Sequence, residues 1–166
     1  MNRRKLLHCT LLLFLLVNIP VFSQTPDFYS NLKMDGTVVV AADTTTKPLK
    51  GVTINILADS VLDQSYCTEE DGFHKFILEF DKEYHLIFSK KHFHSKTIVV
   101  NTHNVPVEEK QFGFGYGGYK VELIRKEKLK DATQNSQVGY IYYDTLGGGF
   151  NHKKPATPLE DRSATQ

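Results

Sequence analysis

The sequence predicts an all-β protein: an antiparallel sandwich of seven or eight strands behind a cleaved signal peptide. Two turn signals, Pro48-Leu49-Lys50-Gly51 and Glu69-Glu70-Asp71-Gly72, separate runs in which apolar and polar residues alternate, the pattern of strands with one buried face. No window has the apolar spacing of an amphipathic helix of ordinary length. Short strands at close spacing favour a sandwich over alternating strands and helices.

The first 23 residues have the features of a secretion signal. Residues 3–5 are basic, residues 11–17 are almost wholly apolar, and cleavage is expected before Gln24. Pro20 interrupts the apolar run too early for a membrane-spanning helix of about 20 residues. The sequence therefore predicts an exported protein that is periplasmic, associated with the outer membrane or secreted, with no transmembrane segment in the mature chain.

Charge and cysteine content narrow the partners of the mature chain. Cleavage removes three of the 20 basic residues and none of the 19 acidic ones, leaving a net charge of about −2. Such a balance gives no general attraction to nucleic acid. Cys67 is the one cysteine left, so no intramolecular disulfide is possible, and its apolar neighbours predict a small buried side chain.

The expected organisation is a linker at 24–33, the sandwich at 34–125, an extra strand or hairpin within 126–150, and a disordered tail at 151–166. Seven strands are predicted at 36–41, 52–57, 61–67, 73–80, 84–88, 96–100 and 120–124, and residues 139–143 are a candidate eighth. The Asp71-Gly72 pair predicts a hairpin in which Gly72 has a positive φ.

The order of four segments resembles a known family. Residues 36–38, 48–54, 68–73 and 84–90 follow one another as in carboxypeptidase regulatory-like domains, which are transthyretin-like or Ig-like sandwiches, here most similar to exported proteins of Bacteroidetes-type bacteria. After Phe88-Ser89-Lys90 that family usually turns through Pro-Gly, whereas this chain has Lys91-His92-Phe93. The resemblance implies a module without catalytic residues, and therefore not an enzyme.

A glycine-rich stretch, residues 111–119, is predicted to be a loop that carries aromatic rings. Phe112, Phe114 and Tyr116 are the candidate partner-binding residues, because rings on a loop can stack on a glycan or pack on a protein. Residues 113–118 match the spacing GxGxxG, but a strand rather than a helix is expected after them, so the phosphate-binding interpretation is rejected.

Five histidines lie within residues 74–103, and His92 and His94 would share one face of a strand. They are the candidate ligands of a metal site, although the sequence offers too few ligands at suitable spacing for a zinc centre. The function predicted from the sequence is thus an exported, non-catalytic module with a binding or structural role at the cell envelope, without a cofactor. The alternatives are a carbohydrate-binding module and a metal-binding protein that uses the His92/His94 region.

Overall fold

A computed structural model describes residues 30–42, 45–128 and 135–154. The predicted signal peptide, most of the predicted linker and residues 155–166 of the predicted tail lie outside them. The strands are β1 Asn31–Ala42, β2 Thr45–Pro48, β3 Thr53–Ala58, β4 Val61–Cys67, β5 Phe73–Glu79, β6 Glu83–Ser89, β7 Ser95–Asn101, β8 Phe114–Leu123, β9 Asn135–Asp144 and β10 Gly149–Lys153. One helical turn, α1 (Val107–Lys110), precedes β8, and a 3-10 turn (Lys126–Lys128) follows it.

The smaller sheet, sheet A, is built around β1. β5 pairs antiparallel with the first half of β1, β2 pairs antiparallel with its end, and β8 pairs parallel with it from Leu32 to Val40. Since β8 overlaps both other partners in register, it occupies one edge of β1 while β5 and β2 share the opposite edge.

The larger sheet, sheet B, has the order β10-β9-β7-β6-β3-β4. All of its pairs are antiparallel except β7 with β9. The predicted all-β sandwich is confirmed, with the difference that both sheets are mixed. The chain crosses from β7 in sheet B to β8 in sheet A and back to β9, and such crossovers allow parallel pairing.

The core lies between the sheets and follows the alternation seen in the sequence. β5 buries every second residue (His74, Phe76 and Leu78), and β6 buries Tyr84, Leu86 and Phe88 in the same way. Successive side chains on a strand point to opposite faces, so these residues meet the buried side chains of β1 and β3.

The predicted hairpin at Asp71-Gly72 is wrong, although its backbone conformation is right. Gly72 has φ +65°, and its N–H bonds the carbonyl of Glu69 in a tight turn. The strands on either side do not pair, because β4 belongs to sheet B and β5 to sheet A. The turn is an arch that carries the chain from one layer to the other. The hairpin in this region joins β3 to β4, with Asp59 and Ser60 both at positive φ as a two-residue turn of type I′ requires.

Several predicted boundaries differ in the structure. β1 begins at Asn31, inside the segment predicted as linker, and β10 takes in residues 151–153 of the predicted tail. β9 and β10 form a hairpin that lies largely in the segment 126–150.

The predicted loop at 111–119 is mostly strand β8. Its glycines form a β-bulge: Met34 pairs with Tyr116 and Gly36 with Tyr119, so two residues of β8 stand opposite one of β1. Gly118 takes φ +74° in this bulge. The glycines that suggested a loop are therefore what allows β8 to stay paired.

Candidate functional site

An open groove of about 780 Å³ runs between β8 of sheet A and strands β7, β9 and β10 of sheet B. We call it the β8 groove. Its polar and aromatic lining residues are Lys96, Tyr116, Tyr119, Lys120, Glu122, His152 and Lys154. A volume of this order is within the range of small-ligand sites in proteins.

The bulge in β8 brings two tyrosines to the groove. Tyr116 and Tyr119 are three positions apart, so a regular strand would point them to opposite faces, and the extra residue restores a common side. Their ring centroids are 6.0 Å apart, and the Tyr116 ring also meets His152 of β10 edge-on at 6.5 Å. The bulge is anchored by Asp35, whose Oδ1 accepts a hydrogen bond from the N–H of Gly118 at 3.3 Å.

Tyr119, which lines the groove, forms a polar pair with the buried His74. The hydroxyl of Tyr119 lies 2.8 Å from Nε2 of His74, which is 5% exposed. Burial lowers the pKa of His74 to about 4 and raises the pKa of Tyr119 above its ordinary value. Both groups are therefore neutral at pH 7, which suits a fixed wall of the groove.

Gly36 makes room for this pair. A Cβ at Gly36 would lie 2.7 Å from the carbonyl oxygen of Tyr119 and 3.0 Å from Nε2 of His74. The close approach of β1 to the pair thus depends on the absence of a side chain.

The charged side chains of the lining are mainly basic. Lys96, Lys120 and Lys154 line the groove together with one carboxylate, Glu122. Burial lowers the pKa of Lys96, and the nearby Glu122 opposes that shift. Burial likewise raises the pKa of Tyr116. The groove thus combines positive charge with a half-buried phenol ring, a combination suited to an acidic ligand that has a face on which a ring can stack.

The three predicted partner-binding residues do not form one surface. Phe112 lies after α1 and is 72% exposed, whereas Phe114 is half-buried and packs edge-on against Phe80, Tyr143 and Phe150 at centroid distances of 5.5–6.1 Å. Tyr116 alone of the three lines the β8 groove. Phe112 and Phe114 border a separate hollow of about 300 Å³ next to Asn31 and Lys33.

The two metal-ligand candidates are in different environments. His92 is exposed in a turn with φ +70°, and His94 is buried, so they do not share a strand face as predicted. His92 lies in the turn between β6 and β7, and His94 comes directly before β7. Within residues 30–42, 45–128 and 135–154, no three His, Cys, Asp or Glu side chains form a group that could hold a metal ion.

The environment of Cys67 also differs from the one predicted from the sequence. The prediction of a buried side chain is wrong, because β4 is the edge strand of sheet B and the residues around Cys67 are exposed on both faces of that strand.

Several groove residues escaped the sequence analysis. Lys96 was assigned to a predicted strand without a functional role, and His152 and Lys154 belonged to the predicted tail. No local pattern marks them, since the crossovers that bring β8 beside β9 and β10 are long-range. The part of the chain that the structure describes contains no helix long and apolar enough to cross a membrane.

No protein-family model matches this sequence, and no curated protein matches it. Among solved structures, the fold is similar to 3-chlorocatechol 1,2-dioxygenase from Rhodococcus opacus 1CP, with 13% identity over 57% of this chain and 59% of that one and a TM-score of 0.39. Catechol 1,2-dioxygenase from Acinetobacter sp. ADP1 is 11% identical over 68% of this chain and 60% of that one, also with a TM-score of 0.39. The pilus 2b backbone protein of group B streptococcus is 10% identical over 60% of this chain and 43% of that one, with a TM-score of 0.37.

The chain therefore spans between 43% and 60% of the length of these three proteins. No partner is carried over from them. The predicted carboxypeptidase regulatory-like family is not among these matches. The assignment of a β-sandwich therefore rests on the strands and sheets of this chain.

The prediction that the chain is not an enzyme is corrected by these comparisons. Two of the similar structures are dioxygenases. At 13% identity and a TM-score of 0.39, no activity is established either.

Proposed function

We propose that this chain is an exported β-sandwich module that binds an acidic glycan at the cell envelope through the β8 groove. The observation that carries the proposal is the lining of the groove, in which Lys96, Lys120 and Lys154 occur together with the half-buried ring of Tyr116. The basic start and apolar run of residues 1–23 support export.

The charges favour an acidic ligand over a neutral one. Two of the three lysines, Lys120 and Lys154, are exposed at the rim, where they attract an anion before contact. Lys96 lies deeper, where partial burial disfavours its charge, and a carboxylate placed nearby would compensate for that cost.

The ring and the shape favour a glycan over a folded protein surface. An open groove between strands can accept a chain of sugar rings, and the apolar face of a sugar can stack on the ring of Tyr116. The His74–Tyr119 pair carries no charge at pH 7 that could attract an anion, so we assign it a structural role in holding the wall of the groove.

The proposal is tested by calorimetric titration with oligogalacturonate, a chain of acidic sugars, and with a neutral cello-oligosaccharide of equal length. We expect oligogalacturonate to bind and the neutral chain to bind much more weakly. Tyr116→Ala and Lys120→Ala should each weaken binding by about tenfold, and added salt should weaken it further.

Lys91→Ala is the matched control, because Lys91 is exposed in a turn and does not line the groove. Equal losses in Lys91→Ala and Lys120→Ala would show non-specific charge attraction and overturn the site. Equal binding of the two oligosaccharides would overturn the preference for acidic ligands. Export is checked separately by the mass of the mature protein, which should begin at Gln24.

A further inference from the structure

Exposed apolar side chains are concentrated on one side of the sandwich. Of the eight large hydrophobic residues that are exposed in the described chain, five lie on two strands: Val61, Leu62 and Tyr66 on β4, and Phe73 and Ile77 on β5. Scattered exposed apolar residues need no explanation, but a cluster of this kind marks a surface for association. We call this surface the β4–β5 side.

Both strands of the β4–β5 side are sheet edges. Within the residues that the structure describes, β4 pairs only with β3, and β5 pairs only with β1. The two edges lie next to each other, since the rings of Tyr66 and Phe76 are 6.2 Å apart. An edge strand with apolar side chains is a template for pairing with another strand.

The hydrogen bonds around β5 show which of its backbone groups face outward. The carbonyl of Gly72 accepts from the N–H of Val38, so even-numbered positions point towards β1. Odd-numbered positions point away: the N–H of Glu79 bonds the hydroxyl of Tyr84.

Two odd-numbered residues are left for pairing. The carbonyl of Glu79 is taken by the hydroxyl of Thr102, and the N–H of Phe73 is taken by the side chain of Asp71. The open stretch of the edge is therefore the backbone of Lys75 and Ile77.

We propose that β5 pairs antiparallel with β5 of a second copy of this chain, about a two-fold axis at Phe76. Lys75 of each copy then stands opposite Ile77 of the other, and their N–H and C=O groups form four hydrogen bonds across the axis. Phe73 stands opposite Glu79, and the diagonal neighbours of Lys75 are Glu79 and Lys75 of the other copy, so no like charges stand directly opposite each other.

Neighbouring registers fit less well. An axis at Lys75 would place the two Lys75 side chains opposite each other. An axis at Ile77 would require backbone groups of Glu79 that are already bonded within the chain. This self-complementarity favours a second copy over an unrelated strand, for which Lys75 and Glu79 would have no fixed counterparts.

The test is the concentration dependence of mass, measured by analytical ultracentrifugation on the purified protein. We expect a monomer–dimer equilibrium in which Ile77→Glu raises the dimer dissociation constant at least tenfold. Val107→Glu is the control, since Val107 is 78% exposed but lies on α1, away from this side. Circular dichroism establishes that both variants are folded.

Disulfide mapping tests the register. In a Cys67→Ser background, mixing Lys75→Cys with Ile77→Cys should give a cross-linked pair, whereas each variant alone should not cross-link to itself. A protein that stays monomeric at every concentration, or a dimer that Ile77→Glu leaves unchanged, would overturn the proposal. Cross-linking of Lys75→Cys with itself would overturn the register.

Discussion

Adding one methyl group at Gly72 should destabilise the sandwich strongly. Gly72 is at φ +65°, and a Cβ there would lie 2.3 Å from the carbonyl oxygen of Val38 and 3.0 Å from the backbone nitrogen of Leu49. That carbonyl accepts a hydrogen bond from Leu49 at 2.9 Å, and Val38 in turn donates to the carbonyl of Gly72 at 2.9 Å. Gly72→Ala must therefore strain its own backbone and also displace β1.

The magnitude follows from three contributions. A non-glycine residue in the left-handed region costs about 1–2 kcal/mol. Weakening or losing the two hydrogen bonds of Val38 costs about 1 kcal/mol each. Alanine also restricts the unfolded chain more than glycine does, which offsets about 0.4–1 kcal/mol of this loss. We expect Gly72→Ala to lower the free energy of unfolding by about 2–4 kcal/mol, and Gly72→Val by at least as much.

Two other glycines separate these contributions. Gly118 has φ +74° with nothing within 4 Å of a built Cβ, so Gly118→Ala should show the backbone strain alone, about 1 kcal/mol. Gly115 has ordinary φ and equally open space, so Gly115→Ala should be neutral or slightly stabilising. Urea unfolding of the three variants, with m-values compared to verify two-state behaviour, gives the differences directly.

The reasoning fails if Gly72→Ala and Gly118→Ala lose the same free energy of unfolding, because the clash with Val38 would then contribute nothing. It also fails if Gly72→Ala leaves the unfolding midpoint unchanged, because the turn could then not have the conformation described.

Three further predictions concern other parts of the sandwich. Ser60→Gly should stabilise the protein by up to about 1 kcal/mol in urea unfolding, because φ +73° suits glycine; Asp59→Gly should gain less, since it loses the bond from the N–H of Glu83. His74 favours its neutral form in the folded state, so the free energy of unfolding should fall by up to about 3 kcal/mol as the pH drops from 6.5 to about 4. A His74→Gln variant measured over the same pH range should lack this part of the pH dependence. Phe114→Ala should cost about 2 kcal/mol in thermal or urea unfolding and Phe112→Ala less than about 0.5, because only Phe114 packs against other rings; equal losses would contradict the packing described.

Local patterns were sufficient for the strands that build the core. β5 and β6 alternate strictly in sequence and in burial, and the positive φ of Gly72 follows from its place after Asp71. The pairing partners of these strands could not be predicted from the same local patterns. An Asp-Gly turn between two strands has the same local chemistry whether it closes a hairpin or crosses between sheets, and the choice is made by what β4 and β5 pack against.

The groove was harder to predict than the core for a related reason. The glycines of β8 indicate a loop when the partner strand is unknown, and the bulge that they form exists only opposite Asp35 of β1. The contributions of His152 and Lys154 depend on β10, whose short polar sequence resembles a tail. Tyr116 was recognisable because an aromatic residue among glycines stands out without any tertiary information.

The pairing of β1 with β8 has a consequence for the time course of folding. β1 is among the first of these strands to be synthesised, yet the contact between Asp35 and Gly118 closes a separation of 83 residues. Sheet A therefore cannot be completed until nearly the whole sandwich has been made, and contacts so distant along the chain form slowly. For an exported chain, as proposed here, this delay would keep sheet A incomplete until most of the chain has been made. The same delay leaves the edge of β1 that pairs with β8 open until β8 has been made, so this edge is exposed to association during folding.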